Sequence, residues 1–153
     1  RCAGAVTKWD ELKQYDQFIN IQGDMPDVTT QMIEQCVEWL QYYPISTVWT
    51  DMPEAMQNDP NSVKMVRAGD QCLWFGRGMT GYGHWHLGAY GYRRDALELY
   101  PDLEITVEEE IEKLEQLRWL KSGWQIGCSS VYFKGIEINS PEDVDIWHKQ
   151  NSQ

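Results

Sequence analysis

The segment from Gln17 to Trp49 narrows the possible folds of this chain more than any other. Gln17 to Ile21 is a short apolar run that ends in Gly23, Asp24 and Pro26, the pattern of a buried strand running into a loop. Thr29 then offers a hydroxyl N-cap, and Met32, Ile33, Cys36, Val37 and Leu40 recur at helical spacing until Pro44 forces a stop. Ile45 to Trp49, rich in β-branched residues, returns as a strand. Strand, helix and strand in succession point to an α/β architecture.

The flanking sequence extends this pattern. Cys2, Val6, Trp9 and Leu12 have the spacing of a helix already under way at the first residues, and with Arg1 in place of methionine the chain reads as cut at its N-terminus. Val63 to Phe75 predicts a hairpin around Arg67-Ala68-Gly69-Asp70, and His86 to Tyr92 a strand. Val107 to Ser122 predicts one helix through Ile111, Leu114, Leu117 and Leu120, with acidic residues at its start where the macrodipole favours them. Trp124 to Phe133 and Ile136 to Ile138 predict strands, and Ser140-Pro141-Glu142-Asp143 a capped helix start. No repeat or low-complexity linker divides the chain. The expectation is one domain over residues 1–153, with a mixed, mostly parallel sheet flanked by helices.

Charge excludes several partners. Asp and Glu outnumber Lys and Arg by 24 to 13, a formal net charge of -11 that repels phosphate backbones and anionic lipid, so neither nucleic acid nor a membrane is expected as a partner. The chain has no apolar run of the roughly 18 residues needed to span a bilayer, and Arg1 to Asp10 lack a signal-peptide core. Cys2, Cys36, Cys72 and Cys128 are scattered singly rather than in CxxC pairs, which fits reduced thiols in a cytoplasmic protein.

Several short patterns carry possible chemistry. In Gln22-Gly23-Asp24 with Pro26, a carboxylate beyond the C-terminal end of a strand could hold Mg²⁺ against substrate phosphates, although Gly-Asp-x-Pro is also ordinary turn chemistry. Gly76 to Gly81 is formally GxGxxG, but no amphipathic helix follows it, as a dinucleotide site would require. His84 and His86 share a strand face and could be metal ligands, yet no Cys, Asp or third His stands nearby, so a sugar or phosphate contact by His86 is the better reading. Glu112, Glu115 and Gln116 share a helix face in the predicted helix, suited either to sugar hydroxyls or to solvent.

The order of these patterns is more specific than any one of them. Phe18-Ile19-Asn20-Ile21-Gln22-Gly23-Asp24-Met25-Pro26 resembles the apolar strand and Gln-Gly-Asp-Glu-Pro motif of the 3-deoxy-manno-octulosonate (Kdo) cytidylyltransferases, the CMP-Kdo synthetases. Asp59-Pro60-Asn61-Ser62-Val63-Lys64-Met65-Val66 resembles their Asn-Pro-Asn-x-Val-Lys-Val-Val segment, and Leu73-Trp74-Phe75-Gly76-Arg77 their Leu-Tyr-Phe-Ser-Arg. His86-Leu87-Gly88-Ala89-Tyr90-Gly91-Tyr92-Arg93 is similar to His-Leu-Gly-Ile-Tyr-Gly-Tyr-Arg. Leu114-Glu115-Gln116-Leu117-Arg118 matches Leu-Glu-Gln-Leu-Arg, and Ile138-Asn139-Ser140-Pro141-Glu142-Asp143 resembles Val-Asp-Thr-Pro-Glu-Asp.

The resemblance covers essentially the whole chain and implies the Rossmann-like nucleotide-diphospho-sugar transferase fold. It implies transfer of CMP from CTP to an acidic eight-carbon sugar, with Mg²⁺ as cofactor and pyrophosphate as leaving group. By the same resemblance Asp24 holds the metal, Gln22 lies beside the substrates, and Arg77, His86, Tyr92, Glu115 and Gln116 surround the sugar. Arg77 and His86 suit its carboxylate, and Glu115 and Gln116 its hydroxyls. Three departures stand out. The family's N-terminal CTP-binding part has no counterpart here, so the chain alone is expected to be inactive. Asn139 occupies the place of a metal-ligating aspartate, with Glu137 the candidate replacement. The connection from Arg77 to His86 is shorter than in the family, where that region contributes to dimer contacts, so a homodimer stays open. A cytidylyltransferase for sialic acid or amino-Kdo and a non-catalytic acidic-sugar-binding module are the alternatives.

Overall fold

The computed structural model describes residues 2–151. Its strands are β1 (Gln17–Ile21), β2 (Ile45–Thr50), β3 (Lys64–Ala68), β4 (Gln71–Gly76), β5 (His84–Arg93) and β6 (Ile126–Ser130). They form one sheet in the order β1-β5-β2-β6-β4-β3, and β3 also pairs with the start of β5. The helices are α1 (Cys2–Lys8), α2 (Thr30–Trp39), α3 (Arg94–Leu99), α4 (Val107–Glu112), α5 (Gln116–Lys121) and α6 (Pro141–Asn151).

The strand-helix-strand start forms as its sequence predicts. The Thr29 hydroxyl accepts from the Met32 backbone N–H at 3.3 Å, capping α2, and Met32 and Cys36 on its inner face are fully buried. Apolar side chains pack on both faces of the sheet. Met32, Cys36, Val48, Leu87 and Ala89 fill the α2 side, while Ile45, Met65, Phe75, Leu117 and Ile126 fill the side covered by α5.

Three expectations are corrected. The sheet is mixed but not mostly parallel: β2 with β6 is the one parallel pair among the described residues, and β5 runs antiparallel to β1, β2 and β3. Parallel neighbours need long crossovers, and here the ten-residue β5 enters between β1 and β2. The chain turns from β3 into β4 within Gly69 and Asp70, with Gly69 at φ 61°.

The predicted helix over 107–122 is two helices broken at Lys113, which sits in the left-handed region at φ 57°. Its apolar period survives the break, so periodicity alone could not reveal it. The segment 136–138 is not a strand; it is tied to the sheet instead by Ile138 N–H donating to the Asp24 carbonyl at 2.8 Å.

Candidate active site

A cavity of about 620 Å³ opens beyond the end of β1 and along β5, a size suited to a small polar ligand. Gln22, Asp24, Arg77, His86, Tyr92, Glu115, Gln116 and Asn139 all line it. Five separate segments of the chain bring them there.

The β1 end is built around a glycine. A Cβ on Gly88 would stand 2.4 Å from Gln22 Oε1, so the bare backbone of β5 lets the Gln22 amide lie across it. Gln22 N–H donates to the Gly88 carbonyl at 3.1 Å, which carries the β1–β5 ladder one residue further and fixes the turn that presents Asp24.

Glu137 and Asn139 reach Asp24 through long-range anchors. Asp27 accepts from the Ile136 N–H at 3.2 Å and from the Trp147 indole at 2.7 Å, so one carboxylate ties both the 136–139 segment and α6 to the β1 end. The Asp143 carboxylate accepts from the Asn139 and Ser140 N–H groups at 2.9 and 2.8 Å, closing the N-terminus of α6 as a capping arrangement.

Glu137 is pushed up to about 7, first by burial and then by the negative charge of Asp24; the Asn139 side chain, the Arg77 charge and the Trp85 indole oppose the shift. Among the described residues the buried Trp85 N–H has no regular hydrogen-bond partner.

His86 lines the cavity from β5. It is 3% exposed on β5 and meets Thr47 Oγ1 through Nε2 at 2.9 Å. The Thr47 hydroxyl has a single proton, which goes to the Ala89 carbonyl at 2.8 Å, so Nε2 carries the imidazole proton and Nδ1 is left as an acceptor. Burial, and after it the charge of Arg77, holds the ring down to about 3. A neutral imidazole with a free lone pair does not suit a carboxylate. It suits a hydroxyl donor.

His84 has separate surroundings. Arg67 Nε donates to its Nε2 at 3.2 Å, and its ring lies 4.0 Å from that of Trp49, so the two histidines do not converge on one ligand. Gly76 to Gly81 leads into β5 with no helix between them. The break at Lys113 also separates Glu112 from Glu115 and Gln116: the last two line the cavity at the start of α5, while the Glu112 carboxylate faces the Arg77 backbone.

Tyr90 belongs to the same cavity wall, although no motif singles it out. It is 3% exposed, lines the cavity, stacks on Tyr92 at 5.8 Å, and its hydroxyl has no partner among the described residues. The strand period of 2 alone puts residues 86, 88, 90 and 92 on one face. Asn20 pairs with Tyr90 across β1 and β5 and extends the same polar surface.

Over 149 residues the chain is 35% identical to an 8-amino-3,8-dideoxy-manno-octulosonate cytidylyltransferase from Shewanella halifaxensis, a match covering 88% of this chain and 61% of that protein. It is 34% identical over 154 residues to a 3-deoxy-manno-octulosonate cytidylyltransferase from Paramagnetospirillum magneticum, covering 92% and 63%. A solved CMP:2-keto-3-deoxy-manno-octonic acid synthetase complexed with CTP superposes with a TM-score of 0.88 at 26% identity, covering 99% of this chain and 66% of that one. Over most of its length the chain is similar to the manno-octulosonate cytidylyltransferases. It spans about three fifths of the length of these cytidylyltransferase relatives, 61% and 63% of the two named. A 4-diphosphocytidyl-2C-methyl-D-erythritol synthase from Anaerococcus prevotii shares the fold at a TM-score of 0.64 and 11% identity. No protein-family model matches the chain.

Proposed function

We propose that this chain supplies the sugar-acid half of a cytidylyltransferase that joins CTP to a 3-deoxy-octulosonate, releasing pyrophosphate. One observation carries the reading: seven residues matched to family motifs, with Asn139 at the position of the motif aspartate, line a single cavity from five segments. The relatives named for Kdo and for amino-Kdo are nearly equal in identity, so the proposal concerns the acidic 3-deoxy-octulosonate common to both.

In this reading Arg77 pairs with the sugar carboxylate. His86 Nδ1 accepts from a hydroxyl, Glu115 and Gln116 take further hydroxyls, and the orphaned Tyr90 hydroxyl donates into the same cavity. Held in this way, the anomeric hydroxyl is oriented towards the Asp24 end, where the α-phosphate of CTP would lie; positioning of this kind is a large part of such catalysis.

The donors at that end fit Mg²⁺. Among the described residues no group of three or more His, Cys, Asp and Glu could hold a metal ion alone, but Mg²⁺ is commonly held by one or two carboxylates together with substrate phosphates. Asp24 and Glu137 are close enough for the charge of one to raise the other, and Asn139 adds an amide oxygen. When bound, the ion would offset charge on the phosphates. The cytoplasm, which supplies CTP, is the proposed location, and the free cysteines fit its reducing conditions. No helix among the described residues is long and apolar enough to cross a membrane.

The test is pyrophosphate release from CTP, Mg²⁺ and Kdo by this chain joined to the leading part of the Shewanella relative. Release that requires both parts and disappears with Asp24→Asn supports the reading. Kdo binding without release moves the chain to a binding module, and the absence of both overturns the proposal.

A further inference from the structure

The contacts around Arg77 converge on its backbone as well as its side chain. Its N–H donates to Glu112 Oε2 at 2.6 Å, and the following N–H, of Gly78, donates to the same oxygen at 3.2 Å. From the other side, Lys64 Nζ donates to the Arg77 carbonyl at 3.3 Å and to the carbonyl of Asp59. The guanidinium donates from Nη1 to the Asn61 carbonyl at 2.6 Å. The residue is thus held at its N–H, its carbonyl and its side chain.

Neither holding residue is explained by the element that carries it. Glu112 is the last residue of α4, the end of a helix where the macrodipole disfavours a carboxylate. Lys64 is fully buried on β3, and among the described residues its ammonium is in no ion pair. Burial lowers its pKa, and the Arg77 charge adds to that shift while the negative charges of Asp59 and Glu112 oppose it. What the two share is Arg77, which lies between Gly76 and Gly78 in a connection whose composition leaves the backbone free.

We propose that Glu112 and Lys64 clamp the Arg77 backbone and so position its guanidinium for the carboxylate of the sugar acid, with Glu112 as the positioning residue that α4 delivers. The inference rests on the reading of the cavity as the sugar-acid site. Fixing the backbone before binding removes an ordering cost that binding would otherwise have to meet. The break at Lys113 gives the clamp a second consequence. Glu112 ends α4 and Glu115–Gln116 begin α5, so one bend holds the arginine and presents the hydroxyl-binding pair.

The experiment compares the unchanged chain with Glu112→Ala and Glu112→Gln. It reads amide hydrogen exchange at Arg77 and Gly78 by NMR and Kdo affinity by calorimetry. Gln keeps an acceptor oxygen, so both quantities should stay within about threefold of the unchanged chain; Ala should speed exchange of the two amides and weaken Kdo by about tenfold or more. In an Arg77→Ala background Glu112→Ala should weaken Kdo no further, a result that a merely structural role for Glu112 would not give. Kdo affinity in Glu112→Ala equal to that of the unchanged chain overturns the proposal. If the unchanged chain binds no Kdo, the cavity reading fails on its own. The exchange rates then decide the clamp: faster exchange at Arg77 and Gly78 in Glu112→Ala supports it, and unchanged exchange overturns it.

Discussion

Burial of His86 gives the fold a contribution that acid weakens. The folded ring, held down to about 3, refuses a proton that the unfolded chain accepts near its ordinary value of 6.5. Its contribution to stability is therefore complete above about pH 6.5 and falls as pH drops towards 3, by about 1.4 kcal/mol per pH unit. Glu137 has the opposite sign: raised to about 7, it binds a proton in the folded state before the unfolded state does, so its contribution rises as pH falls from 7 to its ordinary 4.5. The two nearly cancel in the unchanged chain. In metal-free buffer, urea unfolding of Glu137→Gln should show a loss of about 2 kcal/mol between pH 7 and 5, and His86→Gln should show a gain over the same interval. A flat profile for Glu137→Gln would mean that His86 titrates normally. At Gly88 the expectation separates fold from function. Ala there collides with the end of the Gln22 side chain, which can swing away, so the melting temperature should barely move while Kdo affinity falls by about tenfold.

Among the elements, the α4–α5 bend is held by two devices with testable costs. The left-handed Lys113 is a conformation that glycine adopts freely, so Lys113→Gly should stabilise the protein by about 0.5–1 kcal/mol in urea unfolding; a loss of stability would show that the lysine side chain offsets the strain. Arg118 grips Glu109 through Nε at 2.8 Å and Nη2 at 2.5 Å while its guanidinium lies 4.4 Å from the Tyr100 ring. Because both side chains are only 10–14% exposed, Glu109→Ala leaves a nearly buried cation and should cost about 3 kcal/mol. The bend also marks the limit of the sequence reading. Thr29, the Met32-to-Leu40 spacing and Ser140-Pro141 named their elements because caps and apolar period are local signals. The break at Lys113 depends on where Glu112 and Arg118 find partners, and the tie from Ile138 to Asp24 spans most of the chain. Motif positions named eight residues that line one cavity, Asn139 among them where the family has aspartate, but they carried no information on the tautomer of His86, which follows from Thr47 and Ala89.

For the whole molecule, the sheet ends at β1. Among the described residues that strand pairs with β5 alone, so its outer row of N–H and C=O groups has no strand opposite it. Such a row is a template for a second chain. The net charge of -11 works against it, because two copies must bring like charge together before their edges meet. The balance should depend on ionic strength: salt screens the repulsion over a Debye length of about 10 Å at 0.1 M while leaving edge hydrogen bonds intact. Sedimentation velocity should therefore show monomer at low salt and concentration, and growing association as either rises. Outward amides of β1 should exchange freely in the monomer and become protected on association. A monomer that persists at high concentration and high salt, with those amides still exchanging, would show that the edge is covered from within the chain.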